Sequence, residues 1–167
     1  YFSIESTFNK KSLSKNKIES LSNYMEESLV SRSISDVPLG VLLSGGIDSS
    51  LILNFLLKND SINKINCYFA NTKNKRLSEL DDVHIIVNFL KEKYKSKKIK
   101  LFQKKNSFSN YINLLIKGTK AFDEPVHFAN SPDLLNVVQQ ASKDGIKVLL
   151  SGAGGDGERR GLRHEAA

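Results

Sequence analysis

The spacing of hydrophobic residues along the chain predicts an alternation of helices and strands. Apolar residues between positions 14 and 33 recur every three or four residues, which indicates an amphipathic helix that we expect to pack against a sheet. Residues 39–43 are apolar at successive positions, which is typical of a strand covered on both faces and therefore central in its sheet. Pro38 separates the two elements, because proline disfavours helix at the residue before it.

The rest of the chain continues this alternation. We expect helices over residues 49–58, 79–94, 108–118 and 132–143, and strands over residues 65–69, 99–102 and 147–150. Gly118 and Gly145 are placed at helix ends, and Pro132 in a first helical turn. Strands separated by helices form a parallel sheet with helices on both faces, and ligands bind beyond the carboxyl ends of its strands. The predicted fold class is therefore α/β.

The segment that joins the first strand to its helix is suited to a phosphate group. Residues 41–50 read VLLSGGIDSS, so a strand, a glycine turn and a helix start follow one another. Glycine lets the backbone approach a ligand closely, and the amides at a helix start favour an anion. Ser44, Ser49 and Ser50 add hydroxyl donors, whereas Asp48 requires a bridging cation beside phosphate. We expect a nucleotide polyphosphate with Mg²⁺. The simpler alternative is an ordinary turn with Asp48 or Ser49 as the helix cap.

Three motifs carry a resemblance to a known family. SGGIDS fits the SGGxDS signature of PP-loop ATP pyrophosphatases, whereas the lysine of a Walker A motif is absent. VPLGVLLSGGIDSS at 37–50, FDEP at 122–125 and VLLSGAGGD at 148–156 together resemble the synthetase domain of the glutamine-hydrolysing asparagine synthetase family. The resemblance covers nearly the whole chain from Tyr1 to Asp156. It implies an adenine nucleotide alpha hydrolase-like fold, truncated after the second glycine loop.

The resemblance also implies a site and a reaction. Asp48 and Asp156 match the magnesium carboxylates of the family and are the expected catalytic residues. The expected ATP contacts are Leu43, Ser44, Gly45, Gly46, Asp48, Ser49, Ser50, Ser151 and Gly152. In the implied reaction ATP adenylates a carboxylate such as aspartate and releases pyrophosphate, and ammonia derived from glutamine then displaces AMP to form an amide. The implied partners are ATP, a small carboxylate and a glutaminase domain of the same parent chain or a separate ammonia source.

Several residues leave the function open. Ala153 stands where many family members carry an acidic residue, which puts aspartate as the acceptor in doubt. The acidic pairs at 81–82 and 123–124 are candidate site residues. The alternatives are that residues 81–82 begin a helix and that residues 123–124 lie in a surface turn. Two other functions remain open: a PP-loop enzyme that modifies tRNA, and a nucleotide-binding fragment without catalysis.

Composition narrows the class of protein. The net charge of the 167-residue chain is +7, but its lysines are dispersed, so we expect no nucleic-acid partner. Cys67 is the only cysteine and is predicted to be a buried strand residue. We expect a cytoplasmic protein without a membrane span, and homo-oligomerisation stays open. Residues 1–156 form the predicted partial domain, and 157–167, which lack Lys, Asn, Ile and Ser, a tail foreign to it.

Overall fold

A computed structural model describes residues 15–71, 79–126 and 128–153 of the chain. In this part of the chain, strands β1 (Leu39–Leu43), β2 (Lys64–Asn71), β3 (Lys98–Lys105) and β4 (Val148–Ser151) form one sheet in the order β3-β2-β1-β4. Every neighbouring pair is parallel. The helices are α1 (Lys15–Ser33), α2 (Ile47–Lys58), α3 (Leu80–Lys93), α4 (Phe108–Phe122) and α5 (Ser131–Lys143). The predicted α/β class and the central position of β1 are confirmed.

One face of the sheet is covered by α2 and α3 and holds the larger apolar core. Side chains alternate between the faces along each strand, so every second residue of β1, β2 and β3 enters this core. Its buried members are Val41, Leu43, Leu53, Leu56, Leu57, Ile65, Cys67, Phe69, Val83, Val87, Leu90 and Ile99. Cys67 is fully buried, as predicted, and loss of solvation raises the pKa of its thiol to about 12, although the charge of Lys91 lowers it.

The opposite face is covered by α5, with α4 packed on α5. Its buried apolar group is smaller and consists of Tyr68, Val137, Ala141 and Ile146. The ring of Tyr68 stacks on that of Phe102 with centroids 5.0 Å apart. The hydroxyl of Tyr68 donates a hydrogen bond to Oδ2 of Asp144 at 2.9 Å, so this face combines ring packing with polar contacts.

The expectation that the first helix packs against the sheet is wrong. Helix α1 packs on α2 instead and contains no buried residue. Lys58 of α2 lies 2.6 Å from the carboxylate of Glu26 in α1, in an ion pair between the two helices. The sheet face beneath is already covered by α2 and α3, so the apolar side of α1 remains partly exposed. None of the helices in the three described ranges is long and apolar enough to span a bilayer.

The prediction that Gly118 ends a helix is also wrong. Helix α4 continues through Gly118 to Phe122 and ends at Asp123, whose φ is 55°. Gly118 is buried, and a Cβ added to it would lie 3.1 Å from Cγ2 of Val126. The glycine therefore permits a close approach of the following loop. Gly145 does follow the end of α5 with φ of 80°, one residue after the C-cap.

Candidate functional site

The turn between β1 and α2 depends on glycine at Gly45. This residue has φ of 86°, which only glycine adopts readily. A Cβ at this position would also lie 3.0 Å from Cβ of Glu79 and 3.1 Å from its carbonyl oxygen. Gly46 is the N-cap of α2, and no side chain caps the helix. The alternative in which Asp48 or Ser49 is the cap is therefore wrong, and the first-turn amides of α2 face the turn.

The serine hydroxyls of the turn bond mainly within it. Oγ of Ser49, a buried residue, accepts a hydrogen bond from the backbone amide of Ser44 at 3.2 Å and lies 3.1 Å from its Oγ. Ser50 donates its hydroxyl to the carbonyl oxygen of Gly46 at 2.6 Å. Oγ of Ser44 in turn accepts the amide of Gly46 at 3.3 Å. These bonds fix the shape of the turn.

The second glycine loop lies directly against the start of α2. β4 pairs with β1, so Gly152, which follows Ser151, is at the same edge of the sheet as the first turn. A Cβ at Gly152 would lie 2.9 Å from Cβ of Asp48 and 2.9 Å from the backbone nitrogen of Ser49. Real Cβ atoms do not approach other atoms so closely. Glycine is therefore required for this contact, which brings the two predicted loops together.

A pocket of about 760 Å³ opens at this edge. The predicted ATP contacts that line it are Leu43, Ser44, Gly46, Asp48, Ser49, Ser151 and Gly152. Gly45 and Ser50 do not line the pocket. A Cβ on Gly45 would point at Glu79, and the hydroxyl of Ser50 donates a hydrogen bond to the carbonyl oxygen of Gly46. Asp156 lies outside the described residues.

Ala153, singled out in the second glycine loop, also lines the pocket. The lining residues that were not predicted from the sequence are Leu42, Ile47, Phe69, Ala70, Glu79, Asn130, Asp133 and Leu134. The predicted parallel sheet contained a signal for Phe69 and Ala70, because both lie near the carboxyl end of β2. Asn130 and Asp133 lie at the start of α5, for which no motif pointed to a ligand. The pocket is thus bounded by α2 on one side of the sheet and by α5 on the other.

The α5 side of the pocket is fixed by a buried asparagine between β3 and α4. Nδ2 of Asn106, a residue only 3% exposed, donates to Oδ1 of Asp133 at 2.7 Å and to the carbonyl oxygen of Pro132 at 3.3 Å. Its Oδ1 accepts from Nδ2 of Asn136 at 2.6 Å and from Nδ2 of Asn110. Both donors and both acceptor sites of this amide are therefore used.

The acidic residues of the site do not form a protein cage for a metal. No group of three or more His, Cys, Asp or Glu side chains in the described part of the chain is arranged to hold one. The acidic lining residues are Asp48, Glu79 and Asp133, and the described lining contains no Lys, Arg or His. A single carboxylate at the turn fits Mg²⁺, which takes one or two protein carboxylates and fills its shell with phosphate and water.

The other acidic candidates lie outside the pocket lining. Asp81 and Asp82 are in the first turn of α3, where a negative charge interacts favourably with the helix dipole. Cβ of Asp82 would be 3.4 Å from a Cβ at Gly45, so α3 begins beside the turn. Asp123 ends α4 and, like Glu124, is absent from the pocket lining. The structure thus brings the two glycine loops together but does not bring the DEP segment to the pocket.

Comparison with known proteins now identifies the family. Residues 20–165 match the family described as asparagine synthase. The chain belongs to the asparagine synthase family. A protein of Methanocaldococcus jannaschii named "Putative asparagine synthetase (glutamine-hydrolyzing) 2" is 28% identical over 142 residues, which cover 85% of this chain. The match covers 26% of that relative's own length. The family predicted from the three motifs is confirmed.

Proposed function

We propose that the pocket binds ATP and that the protein forms the nucleotide-binding part of an ATP-dependent, amide-forming ligase. The observation that supports this most directly is the contact of Gly152 with the first turn of α2. It joins the loop suited to phosphate and the loop expected at the adenosine into one pocket of about 760 Å³. A cavity of this size is within the range of small-molecule sites.

The phosphates would lie at the start of α2, where amides and the helix dipole favour negative charge. Leu43, Ser151 and Gly152 would contact the adenosine, because they lie at the carboxyl ends of the neighbouring strands β1 and β4. Asp48, together with Asp156, would hold Mg²⁺. The ion would neutralise charge that develops on the departing pyrophosphate.

The reaction that fits this site is adenylation of a carboxylate, followed by amide formation with ammonia. The α2 amides would stabilise the leaving pyrophosphate, and the α5 wall would hold the acceptor beside the nucleotide. Ala153, which lines the pocket, leaves this position without a carboxylate, so the proposal does not require aspartate itself as the acceptor. We propose that the ammonia comes from glutamine, through a glutaminase domain or a separate source. Membership in the asparagine synthase family favours this function over tRNA modification.

Calorimetric titration of the chain with ATP and Mg²⁺ tests the proposal. We expect Gly152→Leu to weaken binding at least about tenfold, because a side chain there would displace Asp48 and the first turn of α2. Gly145→Asn is the matched control: a Cβ at Gly145 meets nothing within 4 Å, and asparagine tolerates positive φ. Unchanged affinity in Gly152→Leu, or no binding by the unmodified chain, would contradict the proposal.

A further inference from the structure

A second cavity lies between α5 and the strands β2 and β3, on the sheet face opposite to α2. Its volume is about 250 Å³. Its described lining consists of Tyr68, Phe102, Gln103, Lys104, Val137 and Gln140. None of these residues lines the larger pocket at the carboxyl edge of the sheet. The proposed function therefore leaves the second cavity without a role.

One part of the second cavity is apolar. The rings of Tyr68 and Phe102 are stacked with an angle of 10° between their planes, and Val137 adds a branched apolar side chain from α5. Tyr68 and Val137 are each 1% exposed, so close packing against the rest of the fold holds these walls in place. Walls of this kind favour a flat, apolar body in a ligand.

The charge of the second cavity comes from Lys104, which is the only charged residue of its described lining. Nζ of Lys104 donates a hydrogen bond to Oε1 of Gln140 at 3.1 Å, which is a neutral acceptor. Lys104 forms no ion pair with a carboxylate in the described part of the chain. An ammonium group has three donors, so this lysine can also donate to an anionic ligand.

The carboxylate of Asp144, at the end of α5, is engaged elsewhere. Its Oδ1 accepts a hydrogen bond from Nε2 of Gln140 at 2.9 Å, and its Oδ2 accepts one from the hydroxyl of Tyr68 at 2.9 Å. Asp144 is not part of the described cavity lining. Gln140 thus stands between Lys104 and this carboxylate, and the ammonium group is left for another partner.

A second lysine adds positive charge beside the cavity. Nζ of Lys100 lies 4.4 Å from the centroid of the Phe102 ring. Lys100, Phe102 and Lys104 alternate along β3 and therefore share one face of the sheet. The described lining of the larger pocket, by contrast, contains acidic residues and no basic residue. A small anion without a bound metal ion should therefore favour the second cavity over the larger pocket.

We propose that the second cavity binds a small monocarboxylate with a flat, apolar body. Lys104 binds the carboxylate, while Tyr68, Phe102 and Val137 pack against the body. The volume of about 250 Å³ is below the roughly 300 Å³ at which most small-molecule sites begin, so the ligand is about the size of benzoate. This site does not depend on ATP binding in the larger pocket.

Benzoate and benzamide are suitable probes, because they have the same ring and a similar shape but differ in charge. Each is titrated into the isotope-labelled chain, and the shifts of its backbone amide resonances report both the affinity and the place of binding. We expect benzoate to bind with a Kd of about 1 mM. Its affinity should be at least about tenfold higher than that of benzamide, as for a hydrogen bond to a charged group. The largest shifts should occur at residues 102–104 and 137–140.

Variants of one lysine separate charge recognition from folding. Lys104→Met keeps the length of the side chain but removes its charge, and should bring the two affinities to within about twofold of each other. Lys104→Arg retains the charge and should recover part of the preference. Lys105→Met is the matched control, because Lys105 is exposed and outside the cavity lining, and should leave the ratio unchanged. Damage to the fold alone would weaken both probes and leave their ratio as it is in the unmodified chain.

Three results would overturn the proposal. The first is equal affinity of the unmodified chain for the two probes, or no binding of benzoate. The second is an undiminished ratio in Lys104→Met. The third is a set of benzoate-induced shifts at residues 43–49 and 151–153, which would place the anion in the larger pocket. None of these results depends on whether the chain binds ATP, so the proposed function is tested separately.

Discussion

The two faces of the sheet are filled by different kinds of contact. The α2 and α3 side is an apolar core. Ser49, in the first turn of α2, is the buried polar residue on this side among those that the structure describes. The α5 side holds a smaller apolar group, the buried Asn106 and Asn136, and the hydrogen bond from Tyr68 to Asp144. Apolar packing sets where a helix lies, whereas directional hydrogen bonds set where one side chain points. Packing on the first face therefore positions the start of α2, whereas hydrogen bonds on the second face orient single side chains that line the pocket.

The largest effect should come from a cavity in the apolar face. Leu53 of α2 is fully buried, so Leu53→Ala should lower the free energy of unfolding by about 3 kcal/mol. Leu134→Ala on α5 is the control, because Leu134 is 40% exposed and should lose much less. Urea denaturation followed by circular dichroism measures both. Equal losses of unfolding free energy would show that the side chain of Leu53 contributes no more to stability than the half-exposed side chain of Leu134.

A smaller effect is expected from the polar face. Asn106→Ala would leave the partners of a buried amide without their hydrogen bonds, which should cost about 2 kcal/mol. Asn110→Ala is the control, since it removes one exposed partner of the same network. The same urea titrations apply. A loss below about 0.5 kcal/mol for Asn106→Ala would mean that the network adds orientation without stability.

High pH should affect the two faces in succession. Burial raises the pKa of Cys67 from 9.0 to about 12, and burial with the bond to Asp144 raises that of Tyr68 from 10.0 to about 12. Above each starting value the unfolded chain loses a proton that the folded chain keeps, so stability falls as pH rises. The expected slope is about 1.4 kcal/mol per pH unit for each group, from pH 9 for Cys67 and from pH 10 for Tyr68.

Single substitutions show which residue causes each decline of stability with pH. Relative to the unmodified chain, Cys67→Ala should remove the decline that begins near pH 9, and Tyr68→Phe the part that begins near pH 10. Urea midpoints measured between these pH values and pH 12 give the comparison. An unchanged onset in Cys67→Ala would contradict a buried, protonated thiol on the α2 and α3 side.

Local features of the fold were predictable from the sequence. The apolar run of β1 and the glycines after it are local signals, so the strand and the turn agree with the structure, and α2 begins two residues before its predicted start. A parallel sheet placed both glycine loops at one edge, because each follows a strand. That these strands, β1 and β4, are neighbours is shown by the structure.

The misses arose where contacts are distant in sequence. The apolar stripe of α1 indicated a helix but not its partner, which is α2. Gly118 resembled a helix end, whereas its role is a close approach to Val126. The bond between Asn106 and Asp133 joins the β3–α4 connection to α5, and neither residue type reveals such a pairing. The roles of Asp48 and Asp156 stay predictions.

The contact of Gly152 with α2 has a consequence for the order in which the protein is made. Residues 148–152 leave the ribosome long after β1 and α2, yet they form part of the pocket wall. During translation, a nascent chain would thus expose the turn between β1 and α2 before the Gly152 loop packs against it. Until β4 joins the sheet, there is no complete pocket for ATP to bind. ATP binding would therefore stabilise the folded position of β4 and would not assist the folding of earlier segments.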